Sequence, residues 1–401
     1  MRNARQVIGL LGLFGQGNLG NDGSLEAMIN FLRRVRPEAD LVCICSNPAV
    51  VERIYGLRTL PINWSRPKNA VVRAIDRIFL RLPSRFFQLF QKFRQARMID
   101  VIIVPGTGIL DDFGEGPLGM PAILFVWCLA AKVWGTRFAF VSIGAGPIHH
   151  PVSRWLFKRA AAMAHYRSYR DQLSKEFMES IGFETEKDLV FPDIAFALPA
   201  AQGTDPRRDG PLKVGVGIMI YYGWRGDPVR GAQTRQKYIG QITRFVLWLL
   251  DRDYRVRLLM GDAEDKQAIE EVLRSISSCV QTKDQSRVAF DEAQSLQDVM
   301  NQISETDVIV ATRFHNIVCS LKMARPTISI SYAKKNDVLM AEMGMGELCQ
   351  NIEQLDVDRL FCQFDKLIAQ RGMLADRIRT TSDAFQASLR QQDEMLLSKV
   401  L

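Results

Sequence analysis

The sequence predicts an α/β protein of two Rossmann-like, doubly wound parallel-sheet domains, and three observations carry the prediction. Short apolar runs rich in Val and Ile alternate with amphipathic helical stretches along the whole chain. The alternation stops at an aperiodic stretch, Pro199–Pro211, and then restarts. A length of 401 residues suits two domains better than one core.

In the first half, Val7–Leu13 reads as a strand, Ser24–Val35 as a helix and Ala39–Cys45 as a strand. A basic segment, 66–97, interrupts. Val101–Pro105 is strand, Ala122–Val133 helix and Ala139–Ile143 strand. A helix near Ser153–Ala164, a strand Tyr166–Tyr169, a helix to Ser180 and a short strand at Val190 complete the half. After the linker come strand Val214–Ile218, helix Tyr238–Asp251, strand Val256–Met260 and helix Asp265–Ser275. A strand at Val288, helix Leu296–Ile303, strand Asp307–Ala311, helix Ile317–Met323 and strand Thr327–Ser331 follow, and helical sequence runs on from Leu355. Continuous apolar strands separated by helices predict parallel sheets covered on both faces. The expected domains are 1–198, carrying the 66–97 insertion, and 199–375, with a C-terminal helix over 376–401. Two such halves facing a cleft are a glycosyltransferase-B-like architecture, inferred here from the restart alone.

Composition narrows the function classes. Seven scattered Cys, mostly inside apolar runs, read as reduced thiols and not as a disulfide framework. The longest apolar stretch, Ile123 to Ala131, is too short to span a bilayer. A cytoplasmic location is expected. The formal charge of +8 is concentrated in 66–97, where nine Lys and Arg meet one acid, Asp76. Arg73, Arg77, Arg81 and Arg85 recur every four residues among several Phe, a pattern suited to peripheral contact with an anionic membrane on its inner face. The competing reading is a helical insertion whose Phe pack inward and whose Arg are solvated. Nucleic acid is not expected, because no nucleic-acid motif accompanies the stripe. A homo-oligomer is compatible with the sequence.

Several strand ends carry chemistry. Thr312-Arg313-Phe314-His315-Asn316 closes one apolar strand, and Ser331-Tyr332-Ala333-Lys334-Lys335 closes the next. In an open α/β sheet ligands sit at the carboxyl ends of strands, so these residues form a cationic corner with a proton donor. Gly15-Gln16-Gly17-Asn18-Leu19-Gly20 matches G-x-G-x-x-G after the first strand. A nicotinamide site is disfavoured on two grounds: Asn21-Asp22-Gly23 delays the helix to about Ser24, and the second strand ends in Cys45-Ser46-Asn47, without the ribose-binding acid. Asn18, Asn21 and Asp22 instead offer polar groups for sugar hydroxyls. Gly106-Thr107-Gly108, followed by Asp111 and Asp112, and Gly144-Ala145-Gly146-Pro147 are further glycine-rich strand-end loops. No cluster with metal-ligand spacing is visible, and no cofactor is expected.

Taken in order, these segments resemble the polysaccharide pyruvyl transferase family. The matching stretches are Gly17–Ala27, Pro105–Asp112, Ser142–Pro147, Tyr169–Ser174, Pro192–Phe196 and, most specifically, Ala311–His315 followed by Pro326 and Ser331–Lys335. Asn316 departs from the small apolar residue usual there, and Tyr221–Lys237 and the basic segment look particular to a subgroup. The resemblance implies transfer of an enolpyruvyl unit from phosphoenolpyruvate to a sugar or lipid-linked oligosaccharide, closing a pyruvate ketal. It makes His315 the general acid, Arg170, Arg313, Lys334 and Lys335 the phosphoenolpyruvate ligands, and Asn18, Asn21, Asp22, Asp111 and Asp112 the acceptor side. For Arg170 the competing reading is an ion pair with Asp171 or another acid, and for the two Lys a solvated surface. A nucleotide-sugar glycosyltransferase and a non-catalytic carbohydrate-binding protein are the alternative functions.

Overall fold

The computed structural model describes residues 5–63, 82–112, 116–201, 210–223, 228–279 and 286–401. They form two compact units, one of residues 1–16, 24–194 and 388–401, the other of 17–23 and 195–387.

The first unit is a seven-stranded parallel sheet. Its strands are β1 (Val7–Leu11), β2 (Asp40–Cys45), β3 (Arg58–Pro61), β4 (Val101–Pro105), β5 (Arg137–Ile143), β6 (Tyr166–Tyr169) and β7 (Leu189–Val190). They lie in the order β3-β2-β1-β4-β5-β6-β7. Every residue of β4 is buried, as a strand covered on both faces requires. Among the described residues the connecting helices are α1 (Leu19–Val35), α2 (Pro48–Tyr55), α3 (Leu82–Ala96), α4 (Met120–Trp134), α5 (Pro151–Met163) and α6 (Gln172–Ser180). Trp127 of α4 and Phe157 of α5 are fully buried in the core with Phe138 and Phe140 of β5. Both ends of α4 follow from sequence: Pro121 sits in its first turn, and Gly135, at φ 70°, takes the left-handed cap.

The second unit has six parallel strands: β8 (Lys213–Gly217), β9 (Arg255–Leu259), β10 (Val288–Phe290), β11 (Val308–Ala311), β12 (Thr327–Ser331) and β13 (Cys349–Asn351). Their order is β10-β9-β8-β11-β12-β13. The helices are α7 (Pro228–Leu250), α8 (Asp265–Cys279), α9 (Leu296–Ser304), α10 (Phe314–Lys322), α11 (Lys334–Glu342), α12 (Val357–Ala369) and α13 (Arg371–Lys399). Strand order reverses between β8 and β11, which makes their carboxyl ends the switch point of this sheet. The class is the predicted one, a doubly wound parallel sheet in each unit.

Four details differ from the sequence reading. Helix α1 begins at Leu19 and not near Ser24, because the Asn18 side chain accepts the Asn21 N–H at 3.1 Å and caps it. The ground of a delayed helix against a dinucleotide motif therefore falls, while the missing acid at the end of β2 stands. Elements α2, β3, α11 and β13 are additional. The helical tail is two helices, and its last part groups with the first unit. There Gln392 Nε2, fully buried, donates to Ser142 Oγ and Ser168 Oγ, each at 2.9 Å, at the ends of β5 and β6. The division falls between Ile194 and Ala195, a few residues before the expected 198/199. Arg73, Arg77 and Arg81 lie outside the described residues, as does most of the Pro199–Pro211 linker. All seven cysteines are free thiols. Among the described residues no helix is long and apolar enough to cross a membrane.

Candidate functional site

The site is built on the carboxyl end of β11. Thr312 leaves the strand with its N–H bonded to Gly217 O of β8, and its hydroxyl shares a 2.8 Å hydrogen bond with the buried Tyr238 hydroxyl. Burial pushes the Tyr238 phenol up to about 12, with hydrogen bonds from Thr312 and Met219 working against that. On the β12 side, Asn336 Nδ2 of α11 donates to Thr312 O at 3.1 Å. The backbone preceding Arg313 is thus held from both neighbouring strands.

Arg313 then sits at the start of α10 and turns its guanidinium onto Asp265, the first residue of α8. Nε donates to both Asp265 oxygens at 3.1 and 2.9 Å, and Nη2 donates to Oδ1 at 2.6 Å. Asp265 is fully buried and also accepts the N–H groups of Ile220 and Gly261. Burial by itself would lower the Arg313 pKa, yet the hydrogen bonds and charge of Asp265 raise it. Nη1 takes no part in these contacts. Asp262 lies 4.0 Å from Nη2, and burial raises its carboxyl against the pull of Arg313.

His315 is the second residue of α10, half-buried, in the turn that carries the positive end of the helix dipole. Its ring packs edge-on against Phe314 with centroids 5.2 Å apart. The Phe314 ring also meets Lys335, whose Nζ lies 5.1 Å from its centroid and 5.1 Å from that of Tyr332. Arg313, His315 and Lys335 therefore form one cluster, while Lys334 beside them is exposed. The Asn316 amide lies beside Gly217 and Gly261. It is wholly buried, and neither amide atom finds a hydrogen-bond partner among the described residues.

The glycine loop after β1 belongs to this cluster, since 17–23 group with the second unit. Leu19 N donates to Gly261 O at 3.2 Å, and Asn18 Nδ2 donates to Asp262 Oδ2 at 3.1 Å. A Cβ on Gly20 would stand 1.8 Å from His315 Nδ1 and 2.4 Å from its Cγ, so the imidazole occupies space that only glycine leaves. Alanine is the better helix former by about 1 kcal/mol, yet Gly20→Ala is expected to destabilise by about 1–3 kcal/mol through overpacking and to displace the imidazole. Denaturant unfolding and turnover check it; a variant more stable than the parent and equally active would refute the contact.

Of the other residues singled out from sequence, Arg170, Asp111 and Asp112 belong to the first unit. Arg170 lies at the end of β6 in the first unit and is buried between Asp171, at 3.5 Å, and Asp193, at 3.4 Å. These are the ion pairs that the competing reading described. Asp112 accepts the backbone N–H groups of His149 and His150 at 2.8–3.0 Å, ordering that loop, with Asp111 beside it. Asn21 and Asp22 sit in the first turn of α1. Asp265 and Asp262 are the residues that sequence reading missed. Gly261-Asp262-Ala263-Glu264-Asp265 closes β9, and a run of acids at a strand's carboxyl end was the available signal. Among the described residues no group of three or more His, Cys, Asp or Glu is placed to hold a metal ion.

The family model for polysaccharide pyruvyl transferases matches residues 18–334. The chain belongs to the polysaccharide pyruvyl transferase family. A relative of this pyruvyl transferase chain is the amylovoran biosynthesis protein AmsJ of Erwinia amylovora, 21% identical over 373 residues, covering 84% of this chain and 86% of AmsJ. Among solved structures it is similar to the lipopolysaccharide outer core galactosyltransferase WaaB, with a TM-score of 0.54 at 12% identity and 98% coverage of both chains. Anabaena HepE in complex with UDP-glucose gives a TM-score of 0.58 at 12% identity, covering 99% of this chain and all (100%) of HepE. The fold of the pyruvyl transferase chain is thus the glycosyltransferase-B fold.

Proposed function

We propose that the protein moves an enolpyruvyl unit from phosphoenolpyruvate to a sugar of an exopolysaccharide or cell-envelope glycan precursor and closes a cyclic pyruvate ketal. The observation that carries this reading is the cluster of Arg313, His315 and Lys335 around Phe314 at the positive end of α10. Phosphoenolpyruvate brings a phosphate and a carboxylate, and a helix N-terminus flanked by Arg and Lys suits both. Arg313, whose Nε–Nη2 edge is taken by Asp265, presents Nη1 to the anion; Lys335 and the exposed Lys334 supply further charge. Arg170, ion-paired between Asp171 and Asp193, orders the end of β6 in this scheme. The AmsJ relative, named for the biosynthesis of a polysaccharide, supports a glycan acceptor.

In the proposed mechanism a sugar hydroxyl attacks C2 of the enol while protonated His315 delivers its proton to the C3 methylene, which becomes the methyl group. The attacking hydroxyl's proton passes to the solvent or back to His315. The C2–O–P linkage then breaks at the carbon–oxygen bond and releases phosphate. A second hydroxyl of the same sugar attacks C2 and gives up its proton to the departing phosphate. Atoms balance as phosphoenolpyruvate plus diol giving ketal plus inorganic phosphate. Asn18, Asn21, Asp22, Asp111 and Asp112 remain the proposed acceptor contacts, and a lipid-linked oligosaccharide is the proposed form of the acceptor. No metal is required in this scheme, so turnover should persist in chelator.

Incubation with phosphoenolpyruvate and a panel of lipid-linked sugars, scored by mass spectrometry, is expected to give a pyruvate adduct with release of phosphate. Phosphoenolpyruvate should raise the unfolding temperature and UDP-sugars should not. The reverse pattern would assign the chain to nucleotide-sugar transfer, the alternative that its fold permits.

A further inference from the structure

Three helices of the first unit, α3, α4 and α5, pack side by side. Among the described residues their exposed charged side chains are the cations Arg94, Lys132, Arg154 and Arg159, and the three helices carry no Asp or Glu. The middle helix, α4, is apolar all round except for Lys132 in its last turn. Its inner face, Ile123, Leu124, Trp127 and Cys128, is buried in the core. Its outer face, Ala122, Phe125, Val126, Leu129 and Val133, recurs at helical spacing and stays partly or fully open to solvent. A surface helix of a globular protein ordinarily places charges there.

The surroundings extend this face. Trp155 of α5, half (50%) exposed, packs on Phe125 with ring centroids 5.6 Å apart, and Arg159 stacks over Trp155 at 5.9 Å. Trp134, 46% exposed at the end of α4, carries Arg97 over its ring at 5.2 Å. Phe90, on α3, is 64% exposed. Two tryptophans, each with a guanidinium stacked on its face, thus flank an apolar stripe along one side of the unit. Contiguous apolar surface of this kind marks an interaction site.

We propose that the α3–α4–α5 face docks the protein on an anionic phospholipid bilayer, with the α4 stripe and the two tryptophans at the headgroup–acyl boundary and the cations against lipid phosphates. The unbroken positive charge selects this occupant. Apolar insertion plus Lys and Arg attraction is how interfacial helices bind anionic lipid, and Trp, amphipathic by its N–H, belongs at that boundary. The face takes in Phe90, Arg94 and Arg97 of the basic segment expected from sequence, but its apolar centre, α4, lies outside that segment. It uses none of the residues of the transfer chemistry, so it stands or falls separately from the proposed reaction.

The test is sedimentation of the full chain with phosphatidylcholine vesicles with and without phosphatidylglycerol, at low and high salt. Phosphatidylglycerol should strengthen binding by at least about tenfold, and salt should reverse the gain. The double variant Trp134→Ala/Trp155→Ala should weaken vesicle binding by about tenfold or more. Lys132→Glu/Arg159→Glu should remove the preference for anionic lipid. Both pairs are surface residues, and turnover on a water-soluble acceptor should stay at the parent level. Binding no better than to phosphatidylcholine, or parental binding by both variants, overturns the proposal. So does a dimer in gel filtration that the tryptophan variant converts to monomer, because a second copy would then own the face.

Discussion

His315→Ala is expected to lower kcat by about 10²–10⁴-fold, the usual contribution of a positioned general acid, while leaving the protein folded. The side chain is half-buried and packs edge-on against Phe314 across from Gly20, so its removal opens space next to a glycine. If His315 protonates the methylene carbon, kcat and kcat/KM fall together and KM for phosphoenolpyruvate changes little. His315→Gln, close in size but without an acidic proton, should behave like alanine. Steady-state kinetics with either variant decides the matter: turnover within about threefold of the parent would remove His315 from the chemistry, because a factor that small is far below general-acid catalysis.

Asp265→Ala is expected to destabilise by about 3–5 kcal/mol, the cost of breaking a buried pair from one side. Asp265 is fully buried and takes hydrogen bonds from the Arg313 guanidinium and from two backbone N–H groups. Deleting it leaves the Arg313 charge uncompensated and the N–H groups of Ile220 and Gly261 unsatisfied. The loss of an acid from the first turn of α8 adds only about 0.3–1 kcal/mol, so the buried pair dominates. Chemical denaturation measures the loss. The double variant Asp265→Ala/Arg313→Met should recover part of it, since the stranded charge is then gone. KM for phosphoenolpyruvate should rise in Asp265→Ala as well, because Arg313 no longer has its orientation set. Parental stability in the single variant would show that the pair holds nothing together.

Much of the fold is legible in the sequence. Runs such as Val101–Pro105 and Val308–Ala311 are apolar without interruption, and only a strand buried on both faces needs that. The cationic corner is legible for the same reason: once β11 and β12 are strands of a parallel sheet, Arg313, His315 and Lys335 must stand at their carboxyl ends. The elements that local pattern hides are short or polar. β3 has four residues, two of them Arg58 and Thr59, and β13 has three, so neither shows periodicity. Helix α11 opens Lys334-Lys335-Asn336-Asp337, which reads locally as a loop. The pairing of Arg170 with Asp193 is hidden as well, because no local pattern brings together two residues 23 positions apart.

The sequence by itself determined the two parallel sheets, the family and the strand ends that carry charge, because these depend on local apolar patterning and on short ordered motifs. Only the tertiary structure decided which partners those charges take. Asp265 lies 48 residues before Arg313 and becomes its counter-ion because β9 and β11 both flank β8 in one sheet, bringing their carboxyl ends together. Gly20, the last glycine of the G-x-G-x-x-G match, leaves the space into which His315 fits. Such contacts depend on how the chain returns upon itself, and no local pattern of residues encodes that.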